Sequence, residues 1–291
     1  MHRIFEFLLL ALLIIEFGIF FYQEREDIQV ISQVIVDNEL SRVLKNVKVV
    51  QISDLHIHRI GRRERKLISI MRDINPDLIF ITGDFIDNKT GIKPLQELVE
   101  KMANPETLII GILGNSDHEC GEGGVNLLLK RLRESGVKML VNESLKLNVT
   151  MHHYPHLKNQ KNPDNYIYVV GLDDNYTWND NFFKAMNNVP LESPIVLLAH
   201  APHIVEKVNT SGIDLVLSGH THGGQIVFPF LGPLYLNSHC TARKRFASGL
   251  YLDEGTKLYV NRGIGTTVLP IRLFCKPEIT LFQFASNSKD Q

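Results

Sequence analysis

The chain has few cysteines and no excess of charge of either sign. Cys120, Cys240 and Cys275 are its only cysteines among 291 residues. An odd, widely spaced set provides neither a disulfide framework nor a Cys-x-x-Cys site, and it fits a reducing compartment. With a formal net charge of −1, the chain has no overall basic field that would favour nucleic acid. Nucleic acid is therefore not expected as a partner.

Internal repeats and low-complexity tracts are also absent, and a long apolar run occurs only near the N-terminus. Apolar residues make up 44% of the chain and charged residues 22%, which permits a large core and does not indicate global disorder. We expect a membrane anchor at 1–23, a linker at 24–45 that could instead be a connecting strand, one domain at 46–285 and a polar tail at 286–291.

The N-terminal run extends from Phe5 to Tyr22 and is interrupted by two glutamates and a glycine. A helix of that length spans about 27 Å, just enough to cross a bilayer core of about 30 Å. A signal peptide fits less well, because residues 20–23 make a poor cleavage site. We expect a non-cleaved anchor, while a helix lying on the bilayer stays open because Glu16 is costly at mid-membrane.

Strand and helix patterns alternate in the first half of the domain. Buried strands are predicted at 47–53, 77–82, 107–112 and from 137, with helices at 62–74, 94–102 and 123–133. Such alternation predicts a largely parallel sheet covered by helices. The second half has strand patterns at 145–150, 166–170, 195–199, 215–218, 249–252 and 258–260. They suggest a second sheet packed on the first, and the polar segment 152–165 suggests a surface excursion.

Seven candidate metal ligands follow or end apolar runs. They are Asp54, His56, Asp84, Asn115, His200, His220 and His222. This mixed oxygen and nitrogen set suits two borderline or hard divalent ions rather than a thiolate zinc site. Two such ions close together clamp a phosphoryl group and activate water. The set therefore predicts a metal-dependent phosphoester hydrolase.

The position of these residues in the strand pattern supports a common site. Asp54, Asp84 and Asn115 each follow an apolar strand, and open α/β sheets bind ligands at the carboxyl ends of strands. Glycines before Asp84, Asn115 and His220 allow tight turns with unusual backbone angles. In an extended segment Asp54 and His56 would point to the same side. Alone, the motifs at Asp54, Asp84 and Asn115 are common caps or turns, and His200 would be an ordinary buried histidine. The motif with His220 and His222 is the strongest single indication of metal, and the ordered combination carries the prediction.

That combination, D-x-H, GD, GN, H and GHxH in order, resembles the calcineurin-like metallophosphoesterase superfamily over about residues 46–285. The resemblance implies an α/β fold, specifically a four-layer α/β/β/α sandwich, with the N-terminal hydrophobic helix outside it. It implies that two groups of residues hold two ions with Asp84 bridging them: Asp54, His56 and His222 for one, and Asn115, His200 and His220 for the other. Manganese is the expected metal, and iron or zinc would also fit.

One position departs from the family motif G-N-H-[DE], in which the histidine protonates the leaving group. Here Ser116 follows Asn115, and a histidine comes two residues later, at His118. Either His118 serves as the acid, or the leaving group is good enough to need none, as for a phosphate leaving a diphosphate bond. The second account disfavours simple alkyl phosphates. Asp84, Asn115 and His118 are the candidate catalytic residues.

The C-terminal part is similar to a membrane-anchored bacterial branch, through motifs at 245–251, 259–265, 269–272 and 277–279. Some members of that branch cleave UDP-2,3-diacylglucosamine to UMP and a lipid-linked sugar phosphate, in lipid A biosynthesis. Arg243, Arg245 and Arg262 are candidate diphosphate contacts, although a basic surface run can do nothing specific. The apolar run 226–231 is either an exposed lip for lipid or a hairpin of the second sheet.

The leading function is therefore hydrolysis of a phosphorylated, lipid-linked substrate at a bacterial inner membrane, with the cytoplasmic face favoured. A broad-specificity phosphodiesterase or phosphatase of the cell envelope is the enzymatic alternative. A scaffold that binds metal without turnover is the alternative from another class, and the missing histidine at position 116 is its only support.

Overall fold

The computed structural model describes residues 24–149, 165–234, 246–253 and 255–287, together with Glu6 and Gly18. The anchor predicted at 1–23 and the excursion predicted at 152–165 lie almost wholly outside the described residues. Among the helices that are described, none is both long and apolar enough to cross a membrane.

The first sheet has six strands, which neighbour one another in the order β1, β14, β2, β3, β4, β5. Their bounds are Gln29–Val36 (β1), Glu278–Ala285 (β14), Val49–Ile52 (β2), Leu78–Thr82 (β3), Leu108–Ile112 (β4) and Val137–Met139 (β5). The last four run parallel, and β14 is antiparallel to β2. Their near-continuous aliphatic sequences suit a parallel sheet that is buried on both faces.

The second sheet also has six strands, in the order β12, β13, β9, β8, β7, β6. Their bounds are Gly249–Asp253 (β12), Thr256–Val260 (β13), Leu215–Ser218 (β9), Ile195–Leu198 (β8), Tyr166–Gly171 (β7) and Glu143–Asn148 (β6). The central four are parallel, and β12 and β6 flank them as antiparallel edges. The carboxyl ends of four strands therefore meet at one edge.

Most of the helices lie on the outer faces of the two sheets, and one packs between the sheets. In the described part of the chain they are Asn38–Leu44 (α1), Arg62–Ile74 (α2), Ile92–Met102 (α3), Asn115–His118 (α4), Gly121–Glu134 (α5), Phe182–Ala185 (α6) and Ile204–Lys207 (α7). Short 3-10 turns occupy Lys89–Gly91 and His222–Gly224. Helix α2 ends where Asn75 adopts a left-handed conformation before Pro76, a common way to stop a helix.

Three buried clusters separate four layers. One lies between the first sheet and α2, α3 and α5, and a second lies between the two sheets. The third lies between the second sheet and α6 and α7. The order is helix, sheet, sheet, helix, so the mixed α/β fold predicted from the sequence is confirmed.

Residues 24–45, predicted to be a linker or a connecting strand, are largely part of this fold. Strand β1 pairs in parallel with β14 over eight residues. Helix α1 buries Leu40, Val43 and Leu44 in the cluster between the sheets. The domain interpretation of 24–45 as a linker therefore does not describe residues 29–44. The three valines of β1 are half-exposed at a sheet edge while Ile35 is buried, which weakens the hydrophobic pattern of the strand.

A small hairpin stands apart from both sheets. Strands β10 (Val227–Phe228) and β11 (Gly232–Pro233) pair with each other, and the apolar side chains of Phe230 and Leu231 at its tip are exposed. The sequence left 226–231 as a hairpin of the second sheet or an exposed apolar lip. The segment belongs to a hairpin, but this hairpin is not part of the second sheet, and its apolar tip is exposed.

Candidate metal centre

All seven candidate ligands lie just past the carboxyl ends of parallel strands. Asp54 and His56 follow β2, Asp84 follows β3, Asn115 follows β4, His200 follows β8, and His220 and His222 follow β9. The two sheets thus contribute to one site at the edge where these strand ends meet. The two aspartates and four histidines among them are buried.

The structure gathers six of these side chains into two clusters. Within each cluster the ligand atoms all lie within 4.8 Å of one another: Asp54, His56 and His222 in one, and Asp84, His200 and His220 in the other. Oδ2 of Asp84 is 3.5 Å from Nε2 of His56 and 3.4 Å from Nε2 of His200. One carboxylate oxygen therefore touches both clusters.

Asn115 extends the second cluster. Its Oδ1 is 3.2 Å from Nε2 of His200, and that same nitrogen is 3.2 Å from Nδ1 of His220. In the first cluster Nε2 of His56 is 3.2 Å from Nε2 of His222. The same His222 nitrogen is 3.4 Å from Oδ1 of Asp54. The seven side chains singled out in the sequence are thus brought together.

These separations fit divalent ions. Two ligand atoms bound tetrahedrally at about 2.0–2.2 Å from an ion lie about 3.4 Å apart, and the separations found here are 3.2 to 3.5 Å. Two pairs of imidazole nitrogens face each other inside the protein, His56 with His222 and His200 with His220. Burying such polar groups costs free energy unless a partner satisfies them, and a shared cation would be such a partner. The residues present therefore fit a pair of metal ions.

Backbone conformation at the centre is unusual. Five of the seven candidate ligands have positive φ angles: Asp54, His56, Asp84, His220 and His222, between 45° and 68°. Only a few per cent of non-glycine residues adopt this region, and such strain concentrates at functional sites. Because Asp54 and His56 both have positive φ angles, the pair reaches one cluster through left-handed backbone rather than through the extended segment expected from the sequence.

The glycines before the ligands serve two different purposes. Gly83 has a φ of +91°, as a tight turn requires. Gly114 and Gly219 are needed for close approach instead. A Cβ on Gly114 would lie 2.3 Å from Oδ1 of Asp84, and one on Gly219 would lie 1.9 Å from Oγ of Ser53. Any side chain at either position would push the ligand loops apart.

Hydrogen bonds orient two of the ligating rings. Nδ1 of His200 donates to the carbonyl oxygen of Thr82 at 2.7 Å, which leaves Nε2 free to bind metal. Nδ1 of His56 contacts Oδ1 of Asp87, and Oδ2 of Asp87 is 2.7 Å from Nε2 of His58. A carboxylate behind a metal-binding histidine fixes the ring and raises its basicity.

The residues after Asn115 fix the loops that carry Asp84. The Ser116 hydroxyl donates to Oδ2 of Asp84 at 3.0 Å, and the Ser116 amide donates to Oδ1 at 2.9 Å. The buried carboxylate of Asp117 accepts from the backbone N–H groups of Phe85, Ile86 and Gly114 at 2.9 to 3.1 Å. Ser116 therefore holds a candidate ligand in place.

The ionisable groups of the centre, together with burial, shift one another's pKa values. Burial opposes ionisation of Asp84, but the neighbouring His200 holds the pKa of that carboxyl well below its usual range. Burial likewise lowers the pKa of His220 to about 3, helped by His200, and lowers that of His222. Burial and the Asp84 charge raise the pKa of Asp117 to about 7. Against the effect of burial, the Asp84 charge raises the pKa of His200 to about 10. Metal binding needs neutral imidazoles, so an ion that binds here displaces a proton from His200.

His118 and Arg262 have partners in the protein. Nε2 of His118 is 2.7 Å from Oδ1 of Asp173, and this hydrogen bond raises the pKa of His118. The Arg262 guanidinium forms an ion pair with the buried carboxylate of Glu278. Arg243 and Arg245, the other two candidate substrate contacts, lie outside the described residues.

Arg272 organises the loops beside the first cluster and was not identified as functional from the sequence. Its side chain is fully buried and donates to the carbonyl oxygens of Arg262 and Gly265 at 2.7 Å. It also donates to the His222 carbonyl oxygen at 3.3 Å. Asp87 and Asp117 were missed too. Asp117 occupies the [DE] position of the motif G-N-H-[DE], which could have identified it, whereas the sequence signal for Asp87 is that it lies three residues after Asp84.

Comparisons with known proteins agree with this geometry. The family model described as calcineurin-like phosphoesterase matches residues 47–224. The chain is 30% identical to the uncharacterized metallophosphoesterase YkuE of Bacillus subtilis over 92% of this chain and 89% of that protein. It is 28% identical to YkoQ, another uncharacterized metallophosphoesterase of that species, over 95% of this chain and 98% of that protein. It is also 28% identical to a zebrafish (Danio rerio) transmembrane protein with a metallophosphoesterase domain, over 83% of this chain and 54% of that protein.

Proposed function

This chain belongs to the calcineurin-like phosphoesterase family, a hydrolase family acting on phosphoester bonds, and we propose that it works with two divalent ions on a lipid-linked diphosphate. The observation that carries the two-metal part is the pair of buried ligand clusters joined by one oxygen of Asp84.

Each residue of the centre has a proposed role. Asp54, His56 and His222 hold one ion, Asn115, His200 and His220 hold the other, and Asp84 binds both. Two such ions, when bound, neutralise charge on a phosphoryl group and lower the pKa of water. Manganese is the proposed metal, since hard and borderline ions suit this ligand set, and iron or zinc are the alternatives.

The leaving group is proposed to be a phosphate rather than an alkoxide. Ser116 lies at the position where the family motif has a histidine. Its hydroxyl donates a hydrogen bond to Asp84, so the hydroxyl hydrogen positions that carboxylate rather than facing a leaving group. An alkoxide leaving group needs a proton from a group of suitable pKa, whereas a phosphate leaving from a diphosphate is a far weaker base. His118, which is paired with Asp173, is the alternative proton donor.

UDP-2,3-diacylglucosamine, cleaved to UMP and a lipid-linked sugar phosphate, is the proposed substrate. Its support is the similarity of the C-terminal motifs to the branch that includes such diphosphatases, together with the leaving-group argument. We also propose attachment to the bacterial inner membrane through residues 1–23, acting at the cytoplasmic face. The apolar sequence from Phe5 to Tyr22 supports this, and one relative is named as a transmembrane protein.

The test incubates manganese-loaded protein with UDP-2,3-diacylglucosamine and, in parallel, with bis-p-nitrophenyl phosphate. Release of UMP that is lost in Asp84→Ala is the expected result. Turnover of the generic diester alone would reject the lipid substrate and favour the broad phosphodiesterase. Binding of metal without turnover of either compound would favour the non-catalytic scaffold.

A further inference from the structure

Two cavities reach the candidate metal centre from opposite sides of one loop. The first has a volume of about 410 Å³ and includes His56 in its wall. The second has a volume of about 420 Å³ and includes His220 and His222. Thr267, Val268 and Leu269 line both cavities, so the loop at 266–270 is the wall between them. Volumes of this size suit small-molecule ligands.

The first cavity carries uncompensated positive charge. Its three acidic residues are all paired: Glu26 with Arg25 at 2.8 Å, Glu64 with Arg63 at 2.8 Å, and Asp87 with two histidines. Two further arginines line it, Arg59 and Arg62, and both are exposed. Neither forms an ion pair with any acidic group in the described part of the chain. A second anionic group attached to the reacting phosphoryl group would compensate this charge.

The second cavity has the opposite character. Four apolar side chains line it beside the two histidines: Ile226, Leu234, Val268 and Leu269. The rest of its wall is Thr221, Gly224, Gln225 and Thr267. Leu234 is 66% exposed, Val268 is 92% exposed and Leu269 is 52% exposed. The hairpin tip is also apolar and exposed, at Phe230 and Leu231. Contiguous exposed apolar surface marks a binding site more often than scattered single residues do.

The dividing loop is held in a strained conformation. Val268 has a φ of +59°, which is a genuine outlier for a β-branched residue. Gln225 holds the loop, donating from Nε2 to the carbonyl oxygen of Thr267 at 3.0 Å and to that of Leu269 at 3.2 Å. Val268 is also exposed, and backbone strain of this kind concentrates at ligand-binding positions.

We propose that the substrate straddles this loop, with its phosphoryl group at the metal centre, a second anionic group on Arg59 and Arg62, and an apolar chain against Leu234 and Val268. The proposal rests on the phosphoesterase function and deepens it by assigning the two halves of an amphiphilic substrate to two subsites. Because candidate metal ligands line both cavities, one substrate with its phosphoryl group at the centre can extend a substituent into each of them.

The test measures binding of three phosphonates, which cannot be hydrolysed, to the manganese-loaded full-length protein by calorimetry. Methylphosphonate probes the centre alone, decylphosphonate adds an apolar chain, and phosphonoacetate adds a second anionic group. Each buried methylene is worth about fourfold in affinity. We therefore expect decylphosphonate to bind at least about tenfold more tightly than methylphosphonate. A charge-assisted hydrogen bond predicts a gain of about tenfold for phosphonoacetate.

For each variant, the affinities for decylphosphonate and phosphonoacetate are divided by that for methylphosphonate in the same variant, and these two ratios report on the two subsites separately. Val268→Asp and Leu234→Asp should abolish the decyl-to-methyl preference, and Arg59→Gln and Arg62→Gln should abolish the phosphonoacetate preference. Leu252→Asp, at an exposed position of edge strand β12, is the matched apolar control. Arg65→Gln, exposed on α2, is the matched charge control. Both controls should retain both preferences.

Absence of either preference in the unaltered protein would overturn the proposal, as would equal loss in a control. A decyl preference unchanged by both aspartate substitutions would also overturn it, with a membrane surface or a second copy of the chain then covering the groove. Failure to hydrolyse UDP-2,3-diacylglucosamine, with the phosphonate pattern intact, would remove the proposed substrate and leave the two subsites standing.

Discussion

Replacing Asp87 by asparagine tests whether this carboxylate positions the His56 ring for metal binding. Asp87 accepts from Nδ1 of His56 through one oxygen and contacts Nε2 of His58 through the other. Asparagine keeps the shape but has one acceptor oxygen and no charge, so it cannot accept a hydrogen bond from both rings. Burial of His56 opposes its protonation, yet the hydrogen bond to Asp87 raises the pKa of His56 overall, and the substitution removes that effect.

The size of the effect follows from the geometry. Nε2 of His56, the atom facing Asp84 and His222, is free to bind an ion only while Nδ1 carries the proton. Loss of an outer carboxylate behind a metal-binding histidine costs about 10- to 100-fold in affinity, which is about 1.4 to 2.7 kcal/mol. We expect one of the two ions to bind more weakly by that factor, and the other to bind with little change.

Calorimetric titration of the metal-free protein with manganese measures both affinities. Asp73→Asn is the matched control, since Asp73 is exposed on α2 and the substitution removes the same charge. A second measurement follows hydrolysis of bis-p-nitrophenyl phosphate against manganese concentration, where excess metal should restore most of the rate in Asp87→Asn. Affinities equal to those of Asp73→Asn would refute the positioning role.

Three further substitutions probe the surroundings of the centre. Ser116→Ala removes one hydrogen bond to Asp84 and should lower turnover of bis-p-nitrophenyl phosphate less than about tenfold; a loss beyond a hundredfold would mean that Ser116 acts on the leaving group. Asp117→Asn replaces an acceptor of three buried backbone N–H groups, so urea denaturation should show a loss of about 1–3 kcal/mol, and unchanged stability would contradict that role. Hydrogen bonds from two lysines lower the pKa of Asp27 to about 2, so its stabilisation is present above the ordinary pKa and is lost as the pH falls towards 2. Asp27→Asn should therefore cost less than about 1 kcal/mol at pH 6, because the pairs are largely exposed, and a gap in thermal stability that stayed constant between pH 6 and pH 2.5 would contradict this.

Most of the regular structure could be predicted because its hydrophobic pattern is strong. Strands β2, β3 and β4 are buried aliphatic runs, and α2 has a clear apolar face with Leu67 and Met71 buried. Strand β14 was not identified as a strand, although residues 277–279 at its start were used as a motif. Its place between β1 and β2 depends on pairing between the two ends of the chain, which local periodicity does not encode.

The seven candidate ligands could be found from the sequence because each follows a strand end, and strand ends converge. Their geometry could not be found in the same way. The left-handed angle at Asp54 and the close approach of Gly219 to Ser53 arise from packing between loops that are distant in sequence. Arg272 shows the same limit, because the carbonyl groups that satisfy its buried guanidinium belong to several segments.

Counting the metal ions bound by the intact protein tests the two-metal account most directly. Native mass spectrometry of the manganese-loaded chain should show two ions per molecule, together with turnover of bis-p-nitrophenyl phosphate. His222→Ala and His200→Ala, which remove a ligand from the first and the second cluster respectively, should each leave one ion and lose turnover. A single ion in the unaltered protein, or two ions retained in both variants, would contradict the account.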